Sequence, residues 1–516
     1  MKILTAEQIR EIDRLSTAQH GIPGILLMEN AGMRVVEALE ERFENLDDLT
    51  IAILCGKGNN GGDGFVIARQ LIQKGRVPFV FLFANEDEVR GDAKTNLDIL
   101  KSIGSPPAII TTEEDWAEER LEILDADIVI DALLGTGLTK SVTGLYKSVI
   151  ETLEDFPRAS IVSIDLPSGL HADSSRITGP AVEAEFTVTF TALKPCLVLP
   201  PASRMAGDVI VGEIGNPEEL LESGELNMHL IESSVFPAAQ HSRDEDSNKG
   251  NFGKVLVIGG AVGKSGAAAM AGQAALRSGA GLVTVATAAS ALPIIAASMP
   301  ELMTAPLVET KEGAIARQDV TTILEGKTVL AIGPGLTTND ETSSFVRALV
   351  RDSSIPVVLD ADGLNAFTGH ANELRNDGQP VVVTPHPGEM ARLIGRDAAY
   401  VVENRVEVAR DFSLMQKVYV VLKGFRTVIA TPDGSIYVNS TGNPGMATGG
   451  TGDILTGMIA GILGQEHLGD FIERLCLAVY LHGLAGDLAA EELGEECLVA
   501  TDLLRFLPAA WKQLRT

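Results

Sequence analysis

The chain has 516 residues, 45% of them hydrophobic and 4% aromatic, with 52 glycines, 23 prolines and a formal net charge of −29. That length exceeds what one hydrophobic core sustains, so two domains are expected, and the composition is that of a globular α/β chain with many tight loops. The acidic excess repels polyphosphate backbones and anionic lipid surfaces, which argues against nucleic acid and membrane partners; a small anion can still bind at helix-start N–H groups and placed lysines.

The amino terminus carries no apolar leader segment, and Thr5 with Gln8 reads as a capping box that opens an amphipathic helix. Up to about Ile231, apolar strands at 50–54, 77–83, 128–130 and 161–164 alternate with glycine-rich loops and helices, which implies a parallel sheet. The polar, charged run 239–250 serves as the boundary, dividing the chain into domains 1–235 and 236–516. A second series of strands follows at 254–258, 282–286, 329–332, 357–359, 381–383 and 419–422. The alanine-rich stretch 266–300 reads as buried helix plus strand, because its glycines and Pro293 interrupt it short of a membrane span. Cys55, Cys196, Cys476 and Cys497 show no CxxC spacing, which points to a reducing, cytoplasmic compartment with neither a zinc site nor a disulfide framework.

The first clear strand runs into Cys55-Gly-Lys-Gly-Asn-Asn-Gly-Gly-Asp-Gly64, with a helix expected from Phe65. Gly56, Gly58 and Gly61 satisfy GxGxxG, which brings a backbone close to a pyrophosphate at a helix N-terminus; an ordinary strand-to-helix turn capped by Asn60 or Asp63 fits the same residues. Two later strands end in aspartates, Asp131 before Leu-Leu-Gly-Thr-Gly and Asp165 before Leu-Pro-Ser-Gly. Ligands of open α/β sheets bind beyond that carboxyl edge, so both aspartates and the amide-rich loop are expected to converge on one cavity.

In order and type, these segments and the run 186–194 resemble the YjeF amino-terminal domain, the NAD(P)H-hydrate epimerase, over most of residues 1–215. The resemblance implies a Rossmann-like fold whose hydrate is held by Asn59, Asn60, Gly61, Gly62 and Asp63 and by Gly135, Thr136, Gly137, Leu138, Thr139, Lys140 and Ser141. It further implies a potassium ion on Asn60, Asp131 and Ser168, with Asp165 touching substrate as the general base. Inverting the hydroxyl-bearing carbon of a hydrated nicotinamide ring needs a proton shuttle, which a carboxylate at this crevice can provide. Glu185 stands where the family usually has aspartate.

The segment 254–265 ends in Gly-Lys-Ser, but a P-loop requires glycine at position 258, where this chain has Ile258. More informative is Asn443-Pro-Gly-Met-Ala-Thr-Gly449-Gly450-Thr451-Gly452-Asp453 before an apolar helix, which exposes several N–H donors to an anion beside a carboxylate. A plain N-cap role explains Asp453 but not the glycine density. With 249–254, 265–268, 275–282, 332–336, 358–365, 384–389 and 421–424, this run resembles the YjeF carboxyl-terminal domain over nearly all of 243–512. That domain is the ribokinase-like, ADP-dependent NAD(P)H-hydrate dehydratase.

The resemblance implies that Ala267, Gly335, His386 and Asp453 contact the hydrate, with Asp453 catalytic. Lys423, Gly424, Phe425, Arg426 and Thr427, with Gly449, Gly450, Thr451 and Gly452, would hold ADP, accompanied by magnesium. Asn248 replaces the family's histidine at the domain entrance; His386 reads equally well as a structural histidine, and His482 as core packing. The expected function is repair of NADHX and NADPHX by a homo-oligomer: the R and S forms are epimerised, and the S form is dehydrated with ADP to give AMP and phosphate. The rival is a ribokinase-like vitamin-precursor kinase fused to a dinucleotide-binding domain. A non-catalytic nucleotide sensor would have no need of Asp131 and Asp165.

Overall fold

The computed structural model describes residues 1–153, 156, 158–236, 243–319, 321–375 and 378–515. It separates into two compact units, Met1–Leu226 and Asn227–Thr516.

In the first unit the helix Ala6–His20 opens on the expected capping box, Gln8 N donating to Thr5 Oγ1 at 3.2 Å and Thr5 N to Gln8 Oε1 at 2.9 Å. The strands are β1 (Ile51–Cys55), β2 (Phe79–Leu82), β3 (Ala108–Ile109), β4 (Ile128–Ala132), β5 (Ser160–Ile164), β6 (Phe186–Phe190) and β7 (Asp208–Gly212). They form a parallel sheet in the order β3-β2-β1-β4-β5-β6-β7. Every residue of β1, β4 and β6 is buried, which is why they read as unbroken apolar runs instead of alternating ones. One face packs on the helices Gly24–Arg42 and Asn59–Gln73; the other packs on Trp116, whose ring meets Phe83 edge-on at 5.3 Å. The strand order reverses between β1 and β4, and a sheet of this kind opens its ligand crevice there.

The second unit carries ten strands: β8 (Met228–Ile231), β9 (Lys254–Ile258), β10 (Leu282–Ala288), β11 (Met303–Leu307), β12 (Val329–Ile332), β13 (Val357–Leu359), β14 (Val381–Val383), β15 (Tyr419–Leu422), β16 (Val428–Ala430) and β17 (Ile436–Asn439). Their order is β11-β10-β9-β12-β13-β14-β15-β16-β17-β8, parallel from β11 to β15, with β16 antiparallel to both its neighbours. The reversal here lies between β9 and β12. β8 falls before the sequence boundary at 235, yet it pairs with β17, so the units part between Leu226 and Asn227. A four-residue strand carries too little pattern to say which sheet it completes. Residues 239–242 of the polar boundary run lie outside the described residues. The stretch 266–300 supplies most of the helix Ser265–Arg277, then β10 and the helix Leu292–Ser298; among the described residues no helix is long and apolar enough to cross a membrane.

The helices Ser265–Arg277 and Thr451–Leu463 approach so closely that a Cβ on Gly457 would stand 2.0 Å from the Ala271 carbonyl oxygen. Gly457→Ala is expected to destabilise the second unit by about 1–3 kcal/mol through overpacking, read as a lower urea midpoint. Gly266→Ala, whose Cβ meets nothing within 4 Å, should leave that midpoint unchanged or slightly raised.

Candidate active sites

Asp165 leaves β5 with a positive φ of 66°, a conformation that L residues seldom adopt without support from their surroundings. Its Oδ1 accepts from Lys194 Nζ at 2.5 Å, and Lys194 also donates to Thr189 Oγ1 at 2.7 Å and to the Phe190 carbonyl at 3.1 Å. All three donors of an ammonium that is 1% exposed are therefore engaged. The pair lines a cavity of about 650 Å3 together with Asp13, Asn59, Asn60, Asp63, Gly135, Thr136 and Gly137. Burial, then the Asp165 and Asp13 carboxyls, push Asp63 well above the usual carboxylate range.

Several sequence expectations change here. The helix after β1 begins at Asn59, not Phe65, with Gly58 as an extended N-cap. Its glycines serve packing: a Cβ on Gly61 would stand 1.8 Å from the Gly56 carbonyl oxygen, one on Gly62 2.8 Å from Met28, and one on Gly64 2.7 Å from Cys55 Sγ. Gly61 and Gly62 thus lie outside the cavity lining, as do Leu138, Thr139, Lys140 and Ser141; the Ser141 hydroxyl is bonded to the Thr178 carbonyl. Asp131 does not share the cavity with Asp165 either. It is wholly buried, accepting from Ser163 Oγ (2.8 Å), Ser168 N (2.8 Å), Ser168 Oγ (2.5 Å) and Leu133 N (3.3 Å), so its charge is spent on tying β4 to the turn after β5. Beside it, Asn60 Nδ2 donates to the Leu134 carbonyl at 3.1 Å, while among the described residues Asn60 Oδ1 is buried with no hydrogen-bond partner.

In the second unit the helix Thr451–Leu463 is capped by Gly450 at φ 100°, and Asp453, its third residue, makes no capping bond. The carboxylate is left for other work. Burial first and the Asp360 carboxylate second raise it to about 6, against the pull of Lys423. Lys423 Nζ donates to Asp360 Oδ1 at 2.7 Å and lies 3.7 Å from Glu389; the other Asp360 oxygen accepts from Thr456 Oγ1 at 2.8 Å. Burial alone would lower the Lys423 ammonium, but Asp360 and Glu389 outweigh it and hold the group above its ordinary value.

The remaining residues group around this pair. A Cβ on Gly452 would lie 3.3 Å from Lys423 Nζ, and one on Gly335, at φ 68°, 3.3 Å from the Ala267 methyl, so both neighbour pairs are brought together. His386 caps the helix Pro387–Ile394, its Nδ1 accepting from Gly388 N at 3.0 Å while Glu389 accepts from His386 N at 2.8 Å. Arg405 donates to the carbonyls of Phe425 (2.5 Å) and Arg426 (3.0 Å), holding the turn from Lys423 to Thr427 in shape. Phe425 is exposed, and the Thr427 hydroxyl donates to the Gly424 carbonyl. His482 is buried, lowered to about 4 by that burial, and bonded through Nε2 to the Thr451 carbonyl at 3.0 Å, so a neutral ring anchors the start of the Asp453 helix.

Sequence reasoning missed Asp13, Glu389, Arg405 and the pairing roles of Lys194 and Asp360. Lys194 had a signal, a lone charge closing an apolar run, and Asp360 ends a buried strand as Asp165 does. Nothing local marks Asp13.

Residues 25–196 match the family of the YjeF-related protein N-terminus, and residues 255–509 match that of NAD(P)H-hydrate dehydratase. The bifunctional NAD(P)H-hydrate repair enzyme Nnr of Moorella thermoacetica is 43% identical over all of this chain and 97% of its own length. The chain belongs to the bifunctional NAD(P)H-hydrate repair enzymes. Its amino-terminal unit is the epimerase part and its carboxyl-terminal unit the dehydratase part, which sets aside the rival reading of a vitamin-precursor kinase. The namesake from Coxiella burnetii is 37% identical over 97% of each chain. An ADP/ATP-dependent NAD(P)H-hydrate dehydratase from Bacillus subtilis, crystallised with ATP and magnesium, is 34% identical over 55% of this chain and 95% of its own, with a TM-score of 0.47.

Replacing Lys423 by methionine would leave the Asp360 carboxylate, 2% exposed, without its cation. Urea denaturation of Lys423→Met is expected to show a loss of about 3–5 kcal/mol in the second unit.

Proposed function

We propose that the first unit interconverts the R and S forms of hydrated NADH and NADPH through Asp165, and that the second dehydrates the S form with ADP through Asp453. Hydration of a dihydropyridine places the hydroxyl on the carbon beside the ring nitrogen. That centre inverts if the ring opens: Asp165 takes the hydroxyl proton, the carbon–oxygen bond becomes a carbonyl, and the electrons of the carbon–nitrogen bond pass to nitrogen. Rotation and closure on the other carbonyl face complete the inversion. Lys194 fixes one Asp165 oxygen, and among the described residues no hydrogen bond engages the other. The lining residues Asn59, Asn60, Asp63, Gly135, Thr136 and Gly137 place the ring.

Potassium fits this region. Among the described residues Asn60 Oδ1 is a buried acceptor without a donor, its Nδ2 shares the Leu134 carbonyl with Ser168 Oγ, and Ser168 bonds Asp131, so the three supply an oxygen-only set suited to a hard monovalent cation. The ion would fix these loops and offset substrate phosphate charge. Exchanging potassium for tetramethylammonium is expected to lower the thermal midpoint of the first unit and slow epimerisation, with dehydration of the S form unchanged. Equal midpoints in both salts would remove the ion from the account.

In the second unit, hydroxide is a poor leaving group, and phosphorylation turns the ring hydroxyl into a good one. Asp453 takes the hydroxyl proton as the terminal phosphoryl of ADP transfers, the N–H groups about Gly449–Gly452 receive its charge, and Lys423 neutralises the donor. Phosphate then departs with a proton from the adjacent carbon, restoring the double bond and leaving AMP. Magnesium would ride on the nucleotide phosphates, which needs only one or two carboxylates; Asp360, Asp362 and Glu389 are the carboxylates whose charges reach Asp453. Ala267, Gly335 and His386 would face the hydrate, and the Arg405-held turn the nucleotide.

The observation that carries this reading is Asp453 itself, uncapped at a glycine-opened helix start and facing the Lys423–Asp360 pair. With purified epimers, ADP and magnesium, Asp453→Asn should abolish dehydration, whereas Asp165→Asn should convert the S form promptly and the R form slowly. Equal loss on both epimers in the Asp165 variant contradicts this division of work. A base must be ionised, so dehydratase turnover should fall as pH drops through about 6, in a one-proton limb that tracks Asp453.

A further inference from the structure

We propose that Asp13, on the first helix, is a second catalytic residue of the epimerase site, giving a proton to the ring nitrogen while Asp165 takes one from the hydroxyl, with Asn216 as its positioning residue. The proposal rests on the epimerase reading above. Neither residue lies within 25–196, the segment that matches the YjeF family.

Asp13 lines the cavity of about 650 Å3 with Asp165 and Lys194, although it comes from a helix at the far end of the sequence. Its Oδ1 accepts from Asn216 Nδ2 at 3.0 Å, and that amide is pinned twice more: Nδ2 also donates to Ser16 Oγ at 3.0 Å, and Oδ1 accepts from Thr191 Oγ1 at 2.8 Å. Thr191 holds a positive φ of 69° just beyond β6 and lines the same cavity. Three anchors on one amide fix the Asp13 carboxyl, and among the described residues no hydrogen bond occupies its Oδ2. A mere tie between helix and loop would use both oxygens or leave the group in water.

The charges facing Asp13 decide its proton. Asp63, Asp92 and Asp165 supply three further carboxyls of the lining, Lys194 is the buried ammonium, Lys57 pairs with Glu88, and Arg10 and Arg14 of its own helix stand exposed at the rim, Arg14 paired with Glu11. Carboxyls gathered around one buried ammonium disfavour one another's charge in a partly dry cavity. Burial raises Asp13 above its ordinary value, a shift the Asn216 hydrogen bond and Lys194 only partly offset. A carboxyl raised by burial beside a second carboxyl held by a buried ammonium is an arrangement that divides acid from base.

The proton balance closes. On opening, Asp165 receives the hydroxyl proton and Asp13 gives its own to nitrogen as the carbon–nitrogen bond breaks. On closure, the nitrogen proton returns to Asp13, and Asp165 gives back the other to oxygen. No oxidant, reductant or nucleotide is consumed.

Asp13→Asn keeps the shape and removes the titration. Full-length enzyme carrying it should interconvert the epimers at least about 100-fold more slowly in kcat, with KM little changed and dehydration of the S form at the wild-type rate. Asp13→Glu should recover part of the loss. Asn216→Ala removes a donor that lowers the Asp13 proton affinity, so an acid that must be protonated stays active to higher pH: the alkaline limb should move upward while kcat falls. Wild-type kcat should itself be bell-shaped in pH, whatever the stability of the variants. An Asp13→Asn enzyme within threefold of wild type, or a wild-type profile with no alkaline limb, overturns the proposal while leaving Asp165 as base. A wild-type enzyme that leaves the R epimer unconverted overturns the epimerase reading and this proposal with it.

Discussion

An ammonium withdrawn from water must find anionic or carbonyl partners, and a carboxylate at the end of a buried parallel strand must find donors. Each unit meets both needs at once, with Lys194 on Asp165 and Lys423 on Asp360, at 2.5 and 2.7 Å. In each case the carboxylate ends a parallel strand beside the crevice side of its sheet, and the lysine follows a later strand. The desolvation that makes these pairs costly to break is what perturbs their neighbours, because fields are stronger where water is excluded. Asp63 and Asp13 around the first pair, and Asp453 beside the second, are all raised. The structural contact and the chemical poise are one electrostatic arrangement.

The strands that were legible are those buried on both faces. β9, β12, β13, β14 and β15 begin and end where the apolar runs do, since a fully buried parallel strand needs no alternation and stops where the polar loop starts. β8, β16 and β17 were not legible: β16 runs antiparallel to both its neighbours and β8 joins from before the polar boundary run, and a local apolar pattern carries neither direction nor partner. The Asn59–Gln73 helix start was misplaced by six residues for another reason, since glycines that locally argue against helix are admitted because Gly56, Met28 and Cys55 press against them.

The same distinction governs the sites. Asp165 and Asp453 were visible because each follows a strand or glycine run whose edge position is a local property of the sequence. Asp13 and Asn216 were invisible because their meeting spans 203 residues and depends on where a helix lands. Asp131 has an edge position like that of Asp165, but Ser163 and Ser168 donate to its carboxylate, and it lies outside the cavity that Asp165 lines. Position along a strand says that an aspartate reaches the crevice side of the sheet; only the neighbouring hydroxyls decide whether it faces the ligand.

A chain with a net charge of −29 must nonetheless seat a dinucleotide that is itself anionic. Unscreened repulsion would be strongest inside a cavity, where field lines concentrate. The first cavity reduces it in two ways. Burial and neighbouring carboxyls raise Asp63 and Asp13, which favours their uncharged forms, and Lys194 pairs with Asp165. The rim then carries Arg10, Arg14 and Lys57, exposed side chains on a surface otherwise dominated by acids. One physical cause, the desolvation that raises the interior carboxyls, thus weakens the cavity's repulsion of phosphates and underlies the acid role proposed for Asp13.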